Sequence, residues 1–495
     1  MTTSNFERPR FRRRNDESRR SGRRPESPRR DGKAAPRSDR PARFDGPAAA
    51  KREALRLDRF RTQALTVLES LRALIRGVFG EDRPADRELA GLVRTRRGCG
   101  SRDRAAVSAV FYAVARYYGA LRALLPDSVA SRIERGDGDF ADAELAALAV
   151  TALVFEGEHG ELASSLGKLF ALPEVPMPPA DASFEKRAAA AAAFTGAEHA
   201  PAPETLLPAE LAEFIPQDLS RLTRLMARRP PLWIRLQHGG EAETLAELAA
   251  SGMTVRRHPR VAAAVALTGG KLNVFTLESF RAGRFEVQDL ASQCVGLVCA
   301  PKPGERWFDA CAGGGGKTLE LAVLMRRRGT VIAGDVREGI LHELKLRARR
   351  AGFPNISTLH HDGRVPRGFH PCDGVLVDAP CSGSGVWRRN PGSAWKFRPA
   401  ELKEYARRQY DILAHFSTAV KPGGVLVYAT CSLFREENEE VVGRFLAAHP
   451  DFALESGTHP LTGTIVNGLY HFDGFDDDCD FLFAARMRRK FGRDE

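Results

Sequence analysis

Asp309-Ala310-Cys311-Ala312-Gly313-Gly314-Gly315-Gly316-Lys317-Thr318 lies between a short apolar run, Arg306 to Asp309, and a helical pattern, Lys317 to Arg328, that Gly329 closes. Four consecutive glycines let a backbone turn sharply and pass close to a ligand. Thr330 to Ala333 reads as the next strand. Asp335, at the end of that strand, stands 22 residues beyond Gly313, where an acid can accept hydrogen bonds from a ribose. A glycine loop and an acid in one strand–helix–strand unit point to an adenosine-containing cofactor. The alternative, a phosphate-binding G-x-x-x-x-G-K-[ST] loop, fails at its first glycine, because that position is Cys311.

Outward from this unit the alternation continues. Gly374 to Val377 and Gly424 to Tyr428 read as further strands separated by helical patterns, which predicts a parallel sheet covered by helices over 304–491. Two cysteine motifs follow these strands: Asp378-Ala379-Pro380-Cys381-Ser382-Gly383-Ser384-Gly385 and Thr430-Cys431-Ser432. Ligands of open α/β sheets bind beyond the C-terminal strand ends, so Asp378, Cys381 and Cys431 are expected to face the crevice of the glycine loop. A thiolate is a nucleophile. A turn holding a structural cysteine is the bland alternative for the first motif.

Upstream, residues 229–303 mix strand-like runs such as Leu232 to Leu236 with a helical piece, Glu243 to Ala250, and predict a small α+β module. Residues 176–228 are rich in Pro and Ala and read as a connector. Residues 53–175 have helical period: Ala64, Val67, Leu68, Leu71, Ile75 and Val78 form one stripe, and Val107, Val110, Phe111, Val114, Tyr118 and Leu121 another. Residues 1–52 hold 17 Lys/Arg and 7 Asp/Glu, which accounts for +10 of the chain's net +12. With almost no aliphatic side chains they are expected to be a disordered basic tail: either a phosphate-binding arm or a passive solubiliser. The acidic residues in it argue against a mitochondrial transit peptide.

The eight cysteines show no zinc-ligand spacing, so no metal site is expected. Without a signal-peptide pattern or an apolar run long enough to span a bilayer, the expectation is a cytoplasmic protein, in a reducing compartment, with no membrane association.

Together these motifs resemble the family of RNA (cytosine-5) methyltransferases that includes bacterial RsmB and the eukaryotic Nop/Sun proteins. The resemblance covers about residue 230 to the C-terminus. It rests on Phe285-Glu286-Val287-Gln288-Asp289 with Ala291-Ser292, on Asp309 to Thr318, on His361-Asp362-Gly363, and on the two cysteine motifs. It implies a Rossmann-like methyltransferase domain and an RNA-recognition-like small subdomain. The helical region, with Arg102-Asp103-Arg104, is similar to the NusB-like domain of RsmB. It further implies S-adenosylmethionine held by Cys311, Ala312, Gly313, Gly314, Gly315, Gly316, Lys317, Asp335, Asp362 and Asp378. Cys431 would be the nucleophile and Cys381 would assist product release, with Asp378 and Lys317 in the catalytic group. In DNA cytosine methyltransferases the Pro-Cys cysteine attacks, so Cys381 stays open as the alternative nucleophile.

The chemistry fits a thiol. Carbon 5 of cytosine is too electron-poor to attack a methyl donor until a thiolate adds at carbon 6. The implied substrate is RNA, ribosomal RNA by analogy, bound by a monomer. Arg389, in Trp387-Arg388-Arg389-Asn390-Pro391, is expected at an RNA phosphate or in a solvated loop. Gly314 replaces a proline usual in the family and predicts a more flexible loop. A catalytically inactive assembly factor and a small-molecule or protein methyltransferase are the competing readings.

Overall fold

The computed structural model describes residues 47–491 apart from 82, 84, 96–99, 180 and 270–272. The tail assigned to residues 1–52 therefore falls outside the described residues up to 46, as does Cys99. Helix α1 (Pro47–Ala73) begins inside the segment assigned to the tail. From Ala54 onward the chain packs as one compact unit.

The helical stripes predicted from the sequence are buried. Ala64, Val67, Leu68 and Leu71 of α1 face a core that continues through a π-helical segment, Leu74–Gly80. After α2 (Ala85–Thr95), α3 (Ser101–Leu124) buries Val107, Val110, Phe111, Val114, Tyr118 and Leu121. Asp103 caps α3 by accepting the Gly100 N–H at 2.9 Å. The short α4 (Asp127–Glu134) precedes α5 (Asp142–Glu156), which is apolar on nearly every side and forms the middle of the bundle. Gly157, in the left-handed region at φ 70°, ends α5. α6 (Gly160–Leu169) and α7 (Phe184–Thr195) close the bundle.

The segment read as a connector divides between two cores. Phe184, Ala188, Ala191, Phe194 and Leu206 join the helical bundle. Leu207, Leu211 and Ile215, with Leu222, Leu225 and Met226 of α8 (Leu219–Met226), pack instead on Trp387, Phe397, Phe434 and Phe481. Sequence texture missed this because Pro- and Ala-rich segments bury apolar area without a long periodic stripe.

The small module is an antiparallel sheet in the order β2-β3-β1-β4: β1 (Leu232–Leu236), β2 (Thr254–Arg257), β3 (Ala264–Thr268) and β4 (Phe285–Val287). α9 (Glu241–Ala250) and the one-turn α10 (Glu278–Arg281) complete it over Ile234, Leu236, Leu248, Val265, Leu267 and Phe285. On the β1–β4 ladder Arg235 stands opposite Glu286. α11 (Leu290–Cys299) leads into the large sheet.

That sheet has the order β10-β14-β9-β8-β5-β6-β7, with β13 on the far side of β14. β5 (Arg306–Asp309), β6 (Thr330–Asp335), β7 (Ile356–His360), β8 (Cys372–Asp378) and β9 (Val420–Thr430) are parallel. β10 (Phe452–Leu454), the hairpin β11 (Gly457–Thr458) and β12 (Ile465–Val466), β13 (Leu469–Phe472) and β14 (Leu482–Arg489) pair antiparallel. α12 (Gly316–Leu324), α13 (Glu338–Arg350), α14 (Leu402–Ser417) and α15 (Glu439–Ala448) cover its faces, and the one-turn α16 (Gly474–Asp477) precedes β14.

Alternation along β5 shows the layering: Trp307 enters one core and Phe308 the other. Strand order reverses at β5/β8, which opens a crevice above those C-terminal ends. α12 is shorter than its sequence pattern. It stops at Leu324 because Arg326 and Arg327 turn through the left-handed region at φ 53° and 58° before Gly329. No helix among the described residues is long and apolar enough to cross a membrane.

Candidate active site

The glycine loop leaves β5 at Asp309, whose Oδ2 accepts the Thr318 hydroxyl at 2.7 Å. Burial pushes the Asp309 carboxyl up to about 7. Gly313 and Gly315 both turn through the left-handed region, at φ 50° and 86°. A Cβ on Gly315 would meet Leu344 at 2.6 Å, whereas at Gly313 and Gly316 nothing stands closer than 4.0 Å. The loop is thus packed on one side and open on the other. That is the shape needed where a ligand must approach the backbone.

Asp335 ends β6, buried. Its Oδ2 accepts the Gly313 N–H at 3.0 Å. Arg337 folds back on the same carboxylate, from its backbone N–H at 2.9 Å, Nε at 3.0 Å and Nη2 at 3.1 Å. Burial alone would raise this acid, but the Arg337 and Gly313 hydrogen bonds outweigh it and hold the carboxyl below its usual range. Asp362 lies just past β7 and is exposed. Its neighbour His361 is the fixed group: Nε2 lies 3.0 Å from the Ala310 carbonyl, and Nδ1 accepts the Gly363 N–H at 3.0 Å. Burial pushes the Cys311 thiol far up, which leaves that residue to act through its backbone.

The second half of the site is a shelf at the ends of β8 and β9. Lys317, from the first turn of α12, donates to Asp378 Oδ2 at 2.8 Å. Burial disfavours the ammonium, but the Asp378 charge and hydrogen bond outweigh it and keep Lys317 above the ordinary lysine value. The sulfurs of Cys381 and Cys431 are 3.4 Å apart. The hydrogen bond with Cys431 and then burial push the Cys381 thiol well up. Gly385 is required by close approach: its Cβ would fall 1.9 Å from the Phe481 carbonyl oxygen, while its N–H donates to the Cys431 carbonyl at 2.9 Å.

Glu437, fully buried, ties the two cysteine loops together. Its carboxylate accepts from the Ser382 N–H at 2.9 Å, from the Ser382 and Ser432 hydroxyls, and from Gln409 Nε2 at 2.8 Å. The Tyr428 hydroxyl donates to the Glu437 carbonyl at 2.6 Å. Sequence reasoning missed Glu437, since it hides in the acidic run Glu436-Glu437-Asn438-Glu439-Glu440. The only local signal was its nearness to Ser432, five residues earlier.

The structure brings Cys311 to Lys317, Asp335, Asp378, Cys381 and Cys431 to one side of the sheet, at strand ends, with Asp362 beside them past β7. It corrects one expectation. Arg389 is spent internally, on Asp480 at 2.8 Å and Asp289 at 2.6 Å. Its neighbour Arg388 is buried on Asp478 and on the Arg228 and Arg229 carbonyls. Both arginines fasten the loop rather than face a phosphate or solvent.

Residues 296–485 match the family model described as 16S rRNA methyltransferase RsmB/F. Curated relatives carry the name ribosomal RNA small subunit methyltransferase B. That of Klebsiella pneumoniae is 34% identical over 281 residues, 56% of this chain and 63% of its own. That of Cronobacter sakazakii is 36% identical over 284 residues, 55% of this chain and 63% of its own. The matched part of this chain thus spans less than two thirds of these relatives. The crystal structure of PH0851 shares the fold: TM-score 0.66, 23% identity, 85% of this chain and 99% of the other.

Proposed function

We propose, from the premise that residues 296–485 are a methyltransferase domain of the RsmB/Sun family, that the protein transfers a methyl group from S-adenosylmethionine to carbon 5 of a cytosine in ribosomal RNA through a covalent cysteine adduct. The observation that carries this reading is the pair of thiols 3.4 Å apart beside the Lys317–Asp378 ion pair.

The residues present fit the cofactor. The open side of the glycine loop admits an adenosine-bearing ligand against the backbone, and Asp335 offers acceptors for a ribose once Arg337 yields them. Cys311 to Lys317, Asp335, Asp362 and Asp378 would hold it. When bound, S-adenosylmethionine supplies an electrophilic methyl group. Cys431, freed of its proton, adds to carbon 6 of the pyrimidine and makes carbon 5 nucleophilic. The Lys317–Asp378 pair exchanges a proton with the base as charge develops on it. After transfer, the carbon 5 proton leaves to solvent, its electrons restore the carbon 5–carbon 6 double bond, and the carbon 6–sulfur bond breaks to return the Cys431 thiolate. The Cys381 thiol, which stays protonated, donates its hydrogen bond to the departing Cys431 thiolate. This division of labour favours Cys431 over Cys381 as the attacker. The target base must be unstacked to reach both groups. The helical region would serve as a NusB-like RNA- or protein-binding domain, and the protein would act in the cytoplasm as a monomer.

The test is transfer of tritiated methyl to unmodified ribosomal RNA by wild type, Cys431→Ala and Cys381→Ala. Wild type should yield 5-methylcytosine and Cys431→Ala none. Cys381→Ala should accumulate a covalent RNA adduct on a denaturing gel. Undiminished transfer by Cys431→Ala would overturn the nucleophile assignment, and label on another atom would overturn the reaction.

A further inference from the structure

Four consecutive glycines have no side chain with which to fix their own loop, yet the carbonyls of this loop are held. Arg347, on α13, donates to the Gly314 carbonyl. The same guanidinium is gripped at 2.9 Å by Glu286 of β4. That carboxylate is 1% exposed and is shared with Arg350. Across the ladder from Glu286 stands Arg235 of β1. Its Nη2 lies 3.3 Å from the Gly316 carbonyl, and its Nε donates to Gln288 at 2.7 Å. Gln288 in turn donates to Glu320 of α12 at 2.9 Å. One cross-strand pair of the small module thus reaches the glycine loop at two points, Gly316 directly and Gly314 through Arg347.

The arrangement is costly for packing alone. Arg235 and Glu286 are both buried, at positions where apolar residues would serve a sheet better. What the pair accomplishes is to fix a backbone that otherwise has the highest conformational entropy available to a chain.

We propose that the small four-stranded module is the ordering element of the cofactor loop. Arg235 and Glu286 are its positioning residues, the first acting directly and the second through Arg347. This rests on reading the loop as the S-adenosylmethionine site. A loop held open and ordered before the ligand arrives binds it with less entropy loss.

The test uses the full chain. Arg347→Met removes the hold on Gly314 and leaves Glu286 paired to Arg350. It is measured by calorimetric binding of S-adenosylhomocysteine and by amide exchange of residues 311–316 in ligand-free protein. Binding should weaken by about five- to tenfold, and exchange of the loop should speed up. Gly314 lies outside the left-handed region that Gly313 and Gly315 occupy, and only Arg347 stands near its missing side chain. Gly314→Pro added to Arg347→Met should therefore restore much of both losses, by stiffening the loop from within. Arg350→Met, the control, should stay within about twofold of wild type because Arg347 keeps its partner. Unchanged binding and exchange in Arg347→Met, or losses that the proline leaves untouched, would overturn the proposal. If wild type binds no cofactor, the reading of the site fails, and amide exchange of the loop in Arg347→Met and in Arg235→Met, which removes the module's own direct contact, still decides whether the module orders the loop.

Discussion

The glycine loop and the thiol shelf face one crevice and are held in different ways. The shelf is fixed from within its own domain. Glu437 follows Ser432 by five residues and collects hydrogen bonds from both cysteine loops. The loop is fixed in part from its own domain, by Arg347 of α13 33 residues further on, and in part from outside it, by Arg235 of the small module 81 residues earlier. Reacting groups need angstrom accuracy, and a nearby buried carboxylate with its lone pairs satisfied supplies it. A binding loop has only to be ordered, and distant side chains can do that once the whole chain has folded. The shelf should therefore answer to substitutions with large losses in chemistry or folding, and the loop with modest losses in affinity.

The largest effect expected is from Asp378→Asn. Losing the partner of Lys317 should slow single-turnover methyl transfer at saturating cofactor by about 10²–10³-fold, and should weaken cofactor binding, which Asp378 would also support, by far less. A loss in binding that matched the loss in rate would break the contrast by making Asp378 a part of the loop. Next comes Glu437→Ala, which strands donors from both cysteine loops. Chemical denaturation should show a loss of about 3 kcal/mol, and Cys381 should become faster to alkylate. Stability unchanged from wild type would mean that the shelf is not held by this carboxylate.

The smallest effect sharpens the comparison at the foot of the loop. The Asp309 carboxyl sits at about 7 in the fold, against 3.8 ordinarily. Its contribution to stability is thus complete below pH 3.8 and is lost as pH rises through about 7. Asp309→Asn should gain on wild type by about 1–2 kcal/mol between pH 5 and pH 8 in thermal melts. A constant difference between the two proteins over that range would show that Asp309 does not titrate there.

Much of the site was legible because its chemistry names residue types. A glycine run with a following acid, and two cysteines just past apolar strands, point to one crevice without any knowledge of the neighbours. The alternation of strand and helix also gave the parallel core, since each element is local. What stayed hidden were partners. Arg389 looks like a phosphate contact in sequence, and only the folded chain brings Asp289 and Asp480 to it. Arg337 gives no sign in the sequence that its guanidinium is folded onto Asp335. The antiparallel β10, β13 and β14 were missed because the sequence reading followed the βα alternation and stopped at β9. The end of α12 was missed because nothing in three arginines announces a left-handed turn.

One division of the chain has a practical edge. Leu207, Ile215, Leu222, Leu225 and Met226 roof the aromatic cluster of Trp387, Phe397 and Phe434 that underlies the cysteine loops. Trp395 packs against this cluster and the helical bundle alike. A fragment cut at residue 229, where texture suggests a seam, would expose that cluster to water. A fragment that keeps this cluster covered has to begin before Leu207, so the stretch that looks like a tether is in fact a keystone.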